Sequence, residues 1–421
     1  MNSLADSGSG DQSMNRSFKS GAPVPQHGRV IWILAGEASG DVIGARLMLA
    51  LHAQDPSLVF AGVGGGRMEA LGLHSLFPMS DLAVMGLVEV LPKVKHLRQR
   101  LLEAVQDIEL RKPDLVVTID SPGFTLRLLQ KIENSGIKRV HYVAPQVWAW
   151  REKRVKEFPG LWDRLLCLLP FEPEWFAQRG LEARFVGHPV LQSGVRQGNA
   201  ARFRCRHNIP DNAPVLILMP GSRRSEVPKL LPVFRKMLDI LRKTHPDICP
   251  VIPVAPVIAP TVRNLIRKWP VQPHIVTDIH DKHDAFAAAQ GALTKSGTST
   301  LELAMGNVPM VVTYRVNPVT AMMARRMIKV PYVAMVNLLA GREVVPEMLQ
   351  ENCTPEKLAA TIGKLLDDPA AADKQRMAFA EVLEKLSPPV GTPADAAASE
   401  IMDLLDEPVS RSPRQAKVFS E

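Results

Sequence analysis

Short β-branched runs alternate with longer amphipathic stretches along most of this chain. A parallel sheet covered by helices is the arrangement that buries such a pattern. In the first half, Val30–Leu34, Val59–Val63, Leu115–Ile119, Val140–Val143, Arg164–Leu168 and Ala183–Val186 predict strands, and Asp41–His52, Leu97–Arg111 and Thr125–Ser135 predict helices. A polar, Arg-bearing stretch, Val190–Asp211, reads as a connection. The pattern then resumes. Val215–Met219, Ile248–Val254, His274–Thr277, Gly291–Thr294 and Met310–Thr313 predict strands, with helical pieces near Glu226–Lys243, Leu301–Met305 and Val319–Ile328. Helices near Pro355–Leu366, Ala371–Leu386 and Ala394–Leu404 close the chain. The expected class is therefore α/β, in two halves of similar size. The expected active site is the cleft between them, at the carboxyl ends of the strands.

Composition narrows the partners. Among 421 residues, 51 Lys and Arg against 43 Asp and Glu leave a net charge of +8, which favours phosphate ligands, acidic lipid or nucleic acid. An aromatic fraction of 5% argues against a base-stacking platform, so no nucleic-acid partner is expected. The four cysteines, at 167, 205, 249 and 353, are too scattered for a disulfide frame or zinc site and read as reduced thiols. The longest apolar stretch, Ile248–Val262, is interrupted by four prolines, so no membrane span is expected. Residues 1–28 read as a disordered extension and 408–421 as a loose tail.

Several strand-end loops carry candidate chemistry. Gly36–Asp41 opens a helix, with Ser39 or Asp41 able to cap it and Glu37 beside them. Gly64-Gly65-Gly66-Arg67 serves either close approach of a ligand or plain loop flexibility. Asp120, just past a buried strand, is either a helix cap or a general base. The stretch Gln146-Val147-Trp148-Ala149-Trp150-Arg151 offers aromatic faces for a sugar, or core packing. Gly221-Ser222-Arg223-Arg224 joins a strand to a helix, so free N–H groups and an arginine fork suit a phosphate. Ser296-Gly297-Thr298 suits a diphosphate, and Glu302, one turn on, can take both ribose hydroxyls. Asn337 and Arg342 lie in a further polar loop, and His188 reads as a structural turn residue. There is neither a GxGxxG fingerprint nor a Walker A loop. Met85, Leu87 and Val88 followed by Lys93, Lys95 and Arg98 form either a membrane-docking patch or a buried helix with a basic edge.

Taken together, these loops resemble the lipid-A-disaccharide synthase family of inverting GT-B glycosyltransferases. The matching blocks are AGEASGD (35–41), VMGLVEVLP (84–92), TIDSPGF (118–124), APQVWAWR (144–151), VGHPV (186–190), PGSRRSE (220–226), KSGTSTLE (295–302) and VNLLAGREVVPE (336–347). The resemblance extends over about residues 29 to 386, and the pattern departs at Gly66, where the family more often has Pro. The resemblance implies two Rossmann-like domains facing a central cleft, with C-terminal helices packing back on the first. The expected boundaries are 29–190 for the acceptor and membrane-facing domain, 191–211 for the linker, 212–386 for the UDP-sugar domain and 387–407 for a C-terminal helical segment.

The implied reaction condenses UDP-2,3-diacylglucosamine with 2,3-diacylglucosamine 1-phosphate (lipid X), with no cofactor or metal. Its products are a β-1,6-linked disaccharide 1-phosphate and UDP. The implied catalytic residues are Asp120 as base, with Glu37 and Asn337. Gly221, Ser222, Arg223, Ser296, Gly297, Thr298 and Glu302 are implied for the nucleotide, and Ser39, Gly65, Gln146, Trp148 and Arg342 for sugar or acceptor. Met85, Leu87, Val88, Lys93, Lys95 and Arg98 are implied to meet an anionic inner-membrane surface from the cytoplasmic side. The rival readings are another GT-B enzyme, such as a muropeptide N-acetylglucosaminyltransferase or a UDP-sugar 2-epimerase, or a non-catalytic UDP-sugar or lipid-binding protein.

Overall fold

The computed structural model describes residues 28–82, 94–221, 226–317, 321–322 and 327–408. Its strands make two six-stranded sheets, β1–β6 in one and β7–β12 in the other. Contacts divide the chain into two compact units, Met1–Ile137 and Lys138–Glu421.

The first unit carries β1 (Val30–Ala35), β2 (Val59–Val63) and β3 (Leu115–Ile119), with β1 pairing in parallel with both others. All six β1 residues and all five β3 residues are buried, as expected for strands covered on both faces. The helices are α1 (Ala38–Gln54), the short α2 (Gly66–Glu69), α3 (Val94–Arg111) and α4 (Pro122–Lys131). Trp32, Leu34, Val63, Phe77, Ile108, Val116 and Leu128 form one core, and the Trp32 indole donates to Asp107 Oδ2 at 2.9 Å. β1 and β2 approach so closely at Gly62 that a Cβ there would lie 2.1 Å from Ile33 O.

In the second unit, β4 (Lys138–Tyr142), β5 (Arg164–Cys167) and β6 (Ala183–Phe185) pair in parallel, with α5 (Val147–Trp150) and α6 (Glu172–Ala177) between them. The expected polar connection contains α7 (Ala200–His207). Two of its arginines are engaged in ion pairs: Arg202 binds Asp284 and Arg206 binds Asp281. The second sheet has the order β12-β11-β10-β7-β8-β9. Its strands are β7 (Val215–Met219), β8 (Cys249–Pro253), β9 (His274–Val276), β10 (Ala289–Lys295), β11 (Met310–Tyr314) and β12 (Glu347–Leu349), all parallel. The helices are α8 (Val227–Leu241), α9 (Ala259–Ile266), α10 (Ile279–Ala288), α11 (Ser299–Met305), α12 (Met335–Ala340), α13 (Pro355–Asp367), α14 (Pro369–Lys385) and α15 (Pro393–Asp406). The helix expected over Val319–Ile328 lies mostly outside the described residues.

The last helix returns to the first sheet, as expected. Lys138 Nζ donates to Leu404 O at 2.6 Å and Leu405 O at 3.1 Å, at the negative end of α15. Arg164 binds Glu400 at 3.0 Å and Glu407 at 2.7 Å. Four cysteines are free, and among the described residues no helix is long and apolar enough to cross a membrane.

Gly62→Ala should destabilise the protein by roughly 4 kcal/mol or more, because the clash is with backbone and φ is +127°. Chemical denaturation of the purified variant checks this; a wild-type midpoint would contradict it.

Candidate active site

In the first unit the carboxyl ends of β1, β2 and β3 each open into one of the loops singled out above. Asp120 and Ser121 leave β3 with φ of 51° and 47°, a left-handed geometry that costs a non-glycine residue energy. Thr125 Oγ1 secures the corner by donating to Asp120 O at 2.8 Å and Ser121 O at 3.1 Å. Burial pushes the Asp120 carboxyl above its ordinary value, and a hydrogen bond from the Ser121 backbone only partly opposes this. Ser121 Oγ is buried without a hydrogen-bond partner among the described residues. Gly36 leaves room for it, since a Cβ there would lie 2.4 Å from Ser121 Oγ. Sequence reasoning gave Ser121 no role of its own, although it lies in the TIDSPGF block beside Asp120.

Glu37 is the N-cap residue of α1, and its side chain makes no capping bond. Ser39 is exposed in the first turn. Asp41 does not cap its own helix. Buried at 6% exposure, it reaches α2 instead, accepting from Gly65 N at 2.9 Å, Arg67 N at 3.1 Å and Met68 N at 3.1 Å. The carboxylate thus satisfies the free N–H groups of that helix start. Gly65 is required for it, because a Cβ there would lie 2.7 Å from Asp41 Oδ2.

In the second unit, Trp148 is buried in the core. Its indole donates to Glu172 Oε1 at 3.0 Å and meets Phe171 edge-on at 4.9 Å. Glu172 also accepts from the Leu168 and Leu169 N–H groups. Burial pushes its carboxyl up to about 7 against those three donors. The exposed aromatic of this loop is Trp150, 45% accessible, with the Arg151 guanidinium 4.0 Å over its ring. Gln146 is exposed at the start of α5. His188 is buried; its Nδ1 accepts from Val190 N at 3.1 Å, and burial lowers its pKa to about 4, so it stays neutral.

The ends of β7 and β10 hold the nucleotide candidates. Gly221 has φ of 114°, and Glu226, just after its loop, binds Lys295 at 2.8 Å. This ion pair ties the two strand ends together, and the sequence pattern did not single it out. Ser296 Oγ donates to Val333 O at 2.6 Å. Gly297 and Thr298 are exposed, and Glu302 pairs with Lys282 at 2.8 Å. Asn337 is fully buried. Its Nδ2 donates to Val345 O and Glu347 Oε1, and its Oδ1 accepts from Val344 N and Val345 N. Arg342, in the loop that Asn337 holds, is exposed and pairs with Glu381 at 2.7 Å. Lys95 and Arg98 are exposed on α3. Ser222 and Arg223, and Met85, Leu87, Val88 and Lys93, lie outside the described residues.

This architecture is that of the GT-B glycosyltransferases. A solved kitacinnamycin glycotransferase resembles the chain at a TM-score of 0.60 and 17% identity, over 90% of this chain and 99% of that one. A UDP-GlcNAc 2-epimerase from Neisseria meningitidis, bound to UDP-GlcNAc, resembles it at 0.58 and 13%, with coverage of 90% and 99%. At such identities the likeness concerns the fold alone. The family model described as Lipid-A-disaccharide synthetase matches residues 31–401, and the chain belongs to that family. It is 85% identical to the lipid-A-disaccharide synthase of Gluconobacter oxydans over 98% of this chain and 100% of that protein. It is 63% identical to that of Granulibacter bethesdensis over 90% and 99%.

Asp41→Ala should cost about 2–4 kcal/mol, since three N–H groups lose their acceptor in a buried setting. Asp41→Asn, which keeps one oxygen, should cost less. Urea unfolding of the two variants checks the order, and equal midpoints would remove the cap from the account.

Proposed function

We propose that this chain transfers the sugar of UDP-2,3-diacylglucosamine to the 6-hydroxyl of 2,3-diacylglucosamine 1-phosphate. The products are the β-1,6-linked lipid A disaccharide 1-phosphate and UDP, with inversion at C1. Family membership across residues 31–401 carries this reading. The solved UDP-GlcNAc 2-epimerases share the fold at 13–15% identity, whereas the family model that the chain matches is that of the lipid-A-disaccharide synthetases.

The chemistry follows from the residue types. As the acceptor oxygen attacks C1, its proton passes to the Asp120 carboxylate. The O6–C1 bond forms, the C1–O bond to the diphosphate breaks, and UDP leaves with the electron pair. Desolvation raises the proton affinity of Asp120, which suits a general base. Charge growing on the leaving diphosphate is met by the Arg223 guanidinium and by N–H groups of the loops that follow Gly221 and Ser296. Ser222, Gly297 and Thr298 complete those loops, and Glu302 takes the ribose hydroxyls. Glu37, Ser39, Gly65 and Gln146 serve the acceptor side. Trp148 and Asn337 act by holding their loops in place, and Arg342 stands on the loop that Asn337 orders. Residues 29–190 handle the acceptor and 212–386 the donor, joined by the linker 191–211.

Both substrates carry acyl chains, so the enzyme must work at a lipid surface. The start of α3 supports docking there: Val94 and Leu102 are 46% and 49% exposed, beside exposed Lys95 and Arg98. We assign peripheral association with the anionic cytoplasmic face of the inner membrane to this region, together with Met85, Leu87, Val88 and Lys93.

A purified-enzyme assay with both substrates, following UDP release and disaccharide formation together, tests the reaction. Asp120→Ala should retain UDP binding and lose about 10²–10⁴ in turnover; unchanged turnover would remove Asp120 from the mechanism. In the wild type, activity needs the deprotonated carboxyl. kcat/KM should therefore fall as pH is lowered, with a midpoint above the usual carboxylate range because the Asp120 pKa is raised. The double variant Lys95→Glu/Arg98→Glu should bind anionic phospholipid vesicles more weakly than wild type by about thirtyfold or more, at about 1 kcal/mol for each of the two cations lost. Undiminished sedimentation with such vesicles would argue against this face.

A further inference from the structure

We propose that Lys282 is a positioning residue that sets the Glu302 carboxylate for ribose, and so makes the site prefer a ribonucleotide over its 2′-deoxy counterpart. The inference rests on the reading of Glu302 as the ribose-holding group.

Lys282 Nζ donates to Glu302 Oε2 at 2.8 Å, between α10 and the first turn of α11. The two side chains are 19% and 29% exposed. Glu302 Oε1 has no hydrogen-bond partner among the described residues, so one oxygen is held and the other is left to accept. The ammonium is itself placed from a second side, lying 5.6 Å from the Phe286 ring centroid one turn along α10.

The charges on α10 are divided between two neighbours. Its acids turn to α7: Asp281 accepts from Arg206 and His207, and Asp284 from Nε and Nη2 of Arg202. Its lysine turns to Glu302. The adjacent His283 is held below its ordinary pKa by burial first and by the Lys282 charge second. At neutral pH the imidazole therefore brings no competing cation to the carboxylate.

A partly exposed ion pair of this kind contributes only about 0–1 kcal/mol to folding, so stability is a poor account of it. Its larger effect is local. A glutamate side chain has three rotatable bonds, and anchoring one oxygen removes much of that freedom before the ligand arrives. The cost of ordering the carboxylate is then not charged to ribose binding. A ribose diol uses the pre-set acceptor geometry fully, whereas a 2′-deoxyribose has one donor fewer and gains less from it.

The test is calorimetric titration of the full-length protein with UDP and with 2′-deoxy-UDP. It uses wild type, Lys282→Met, Lys282→Arg and Glu302→Gln, with thermal melting recorded for each. Wild type should prefer UDP by about tenfold, the worth of one good hydrogen bond to a charged acceptor. Lys282→Met should weaken UDP by about five- to tenfold with little change for 2′-deoxy-UDP, so the preference collapses while the melting temperature holds. Lys282→Arg, which keeps the donor, should restore most of it. If Lys282→Met fails to melt cooperatively, Lys282→Leu, which also lacks a donor, carries the same comparison. A retained preference in the Met or Leu variant overturns the inference, as does tighter UDP binding, which would make Lys282 a competitor for the carboxylate. The two readings separate through Glu302→Gln. If that variant keeps the preference, or wild type has none, the ribose role of Glu302 fails and the inference falls with it. If Glu302→Gln loses the preference and Lys282→Met does not, the inference about Lys282 alone is wrong.

Discussion

Parallel strand pairing is the constraint from which the rest of this structure follows. A parallel pair cannot be closed by a tight hairpin, so successive strands within each sheet are joined by a crossover that returns the chain to the same sheet edge. The loops leaving the carboxyl ends of β1, β2 and β3 consequently gather at one edge of their sheet. Those leaving β7 and β10 do so in the other sheet. Chemically useful residues distant in sequence are brought together by this rule before any side chain is chosen. Asp120 and the Gly36 turn are neighbours for that reason, as are Glu226 and Lys295.

The second theme is the satisfaction of buried polar groups. Asp41, Glu172 and Asn337 are each nearly or wholly withdrawn from water, and each is met by several partners. A buried carboxylate or amide left without partners costs far more than its hydrogen bonds return. These residues therefore serve as frames for loops: Asp41 for the glycine turn, Glu172 for the tryptophan turn and Asn337 for the stretch through Glu347. Their loops in turn present Gln146, Trp150, Arg151 and Arg342 to solvent. A family motif can thus contain both a group exposed to solvent and the group that holds its loop in place. Trp148 and Trp150 show the division within one short segment.

Much of the fold was legible in the residue pattern. The expected strands at 30–34, 59–63, 115–119, 215–219 and 310–313 correspond to β1, β2, β3, β7 and β11 to within a residue or two. Buried parallel strands are continuous apolar runs, and such runs stand out against amphipathic helices. The elements that escaped notice were α2, α5, α6, α7, α9, α10, α12 and β12. Most are short, and α7 is rich in arginine because its charges are spent on Asp281 and Asp284 across a helix pair. Periodicity cannot register a partner 75 or more residues away. The same limit applied to Asp41, which looked like a cap for its own helix and caps another.

The sequence by itself settled the α/β class, the family and the loops in which polar and glycine residues concentrate, because local apolar periodicity and ordered motifs are properties of neighbouring residues. Tertiary structure alone decided which motif residues are framework and which face solvent, and which ion pairs hold the loops. It buried Trp148 on Glu172, closed all four hydrogen-bonding positions of Asn337 and set Lys282 against Glu302. Those outcomes depend on desolvation and on contacts between segments far apart in the chain, and neither quantity exists until the sheets have formed.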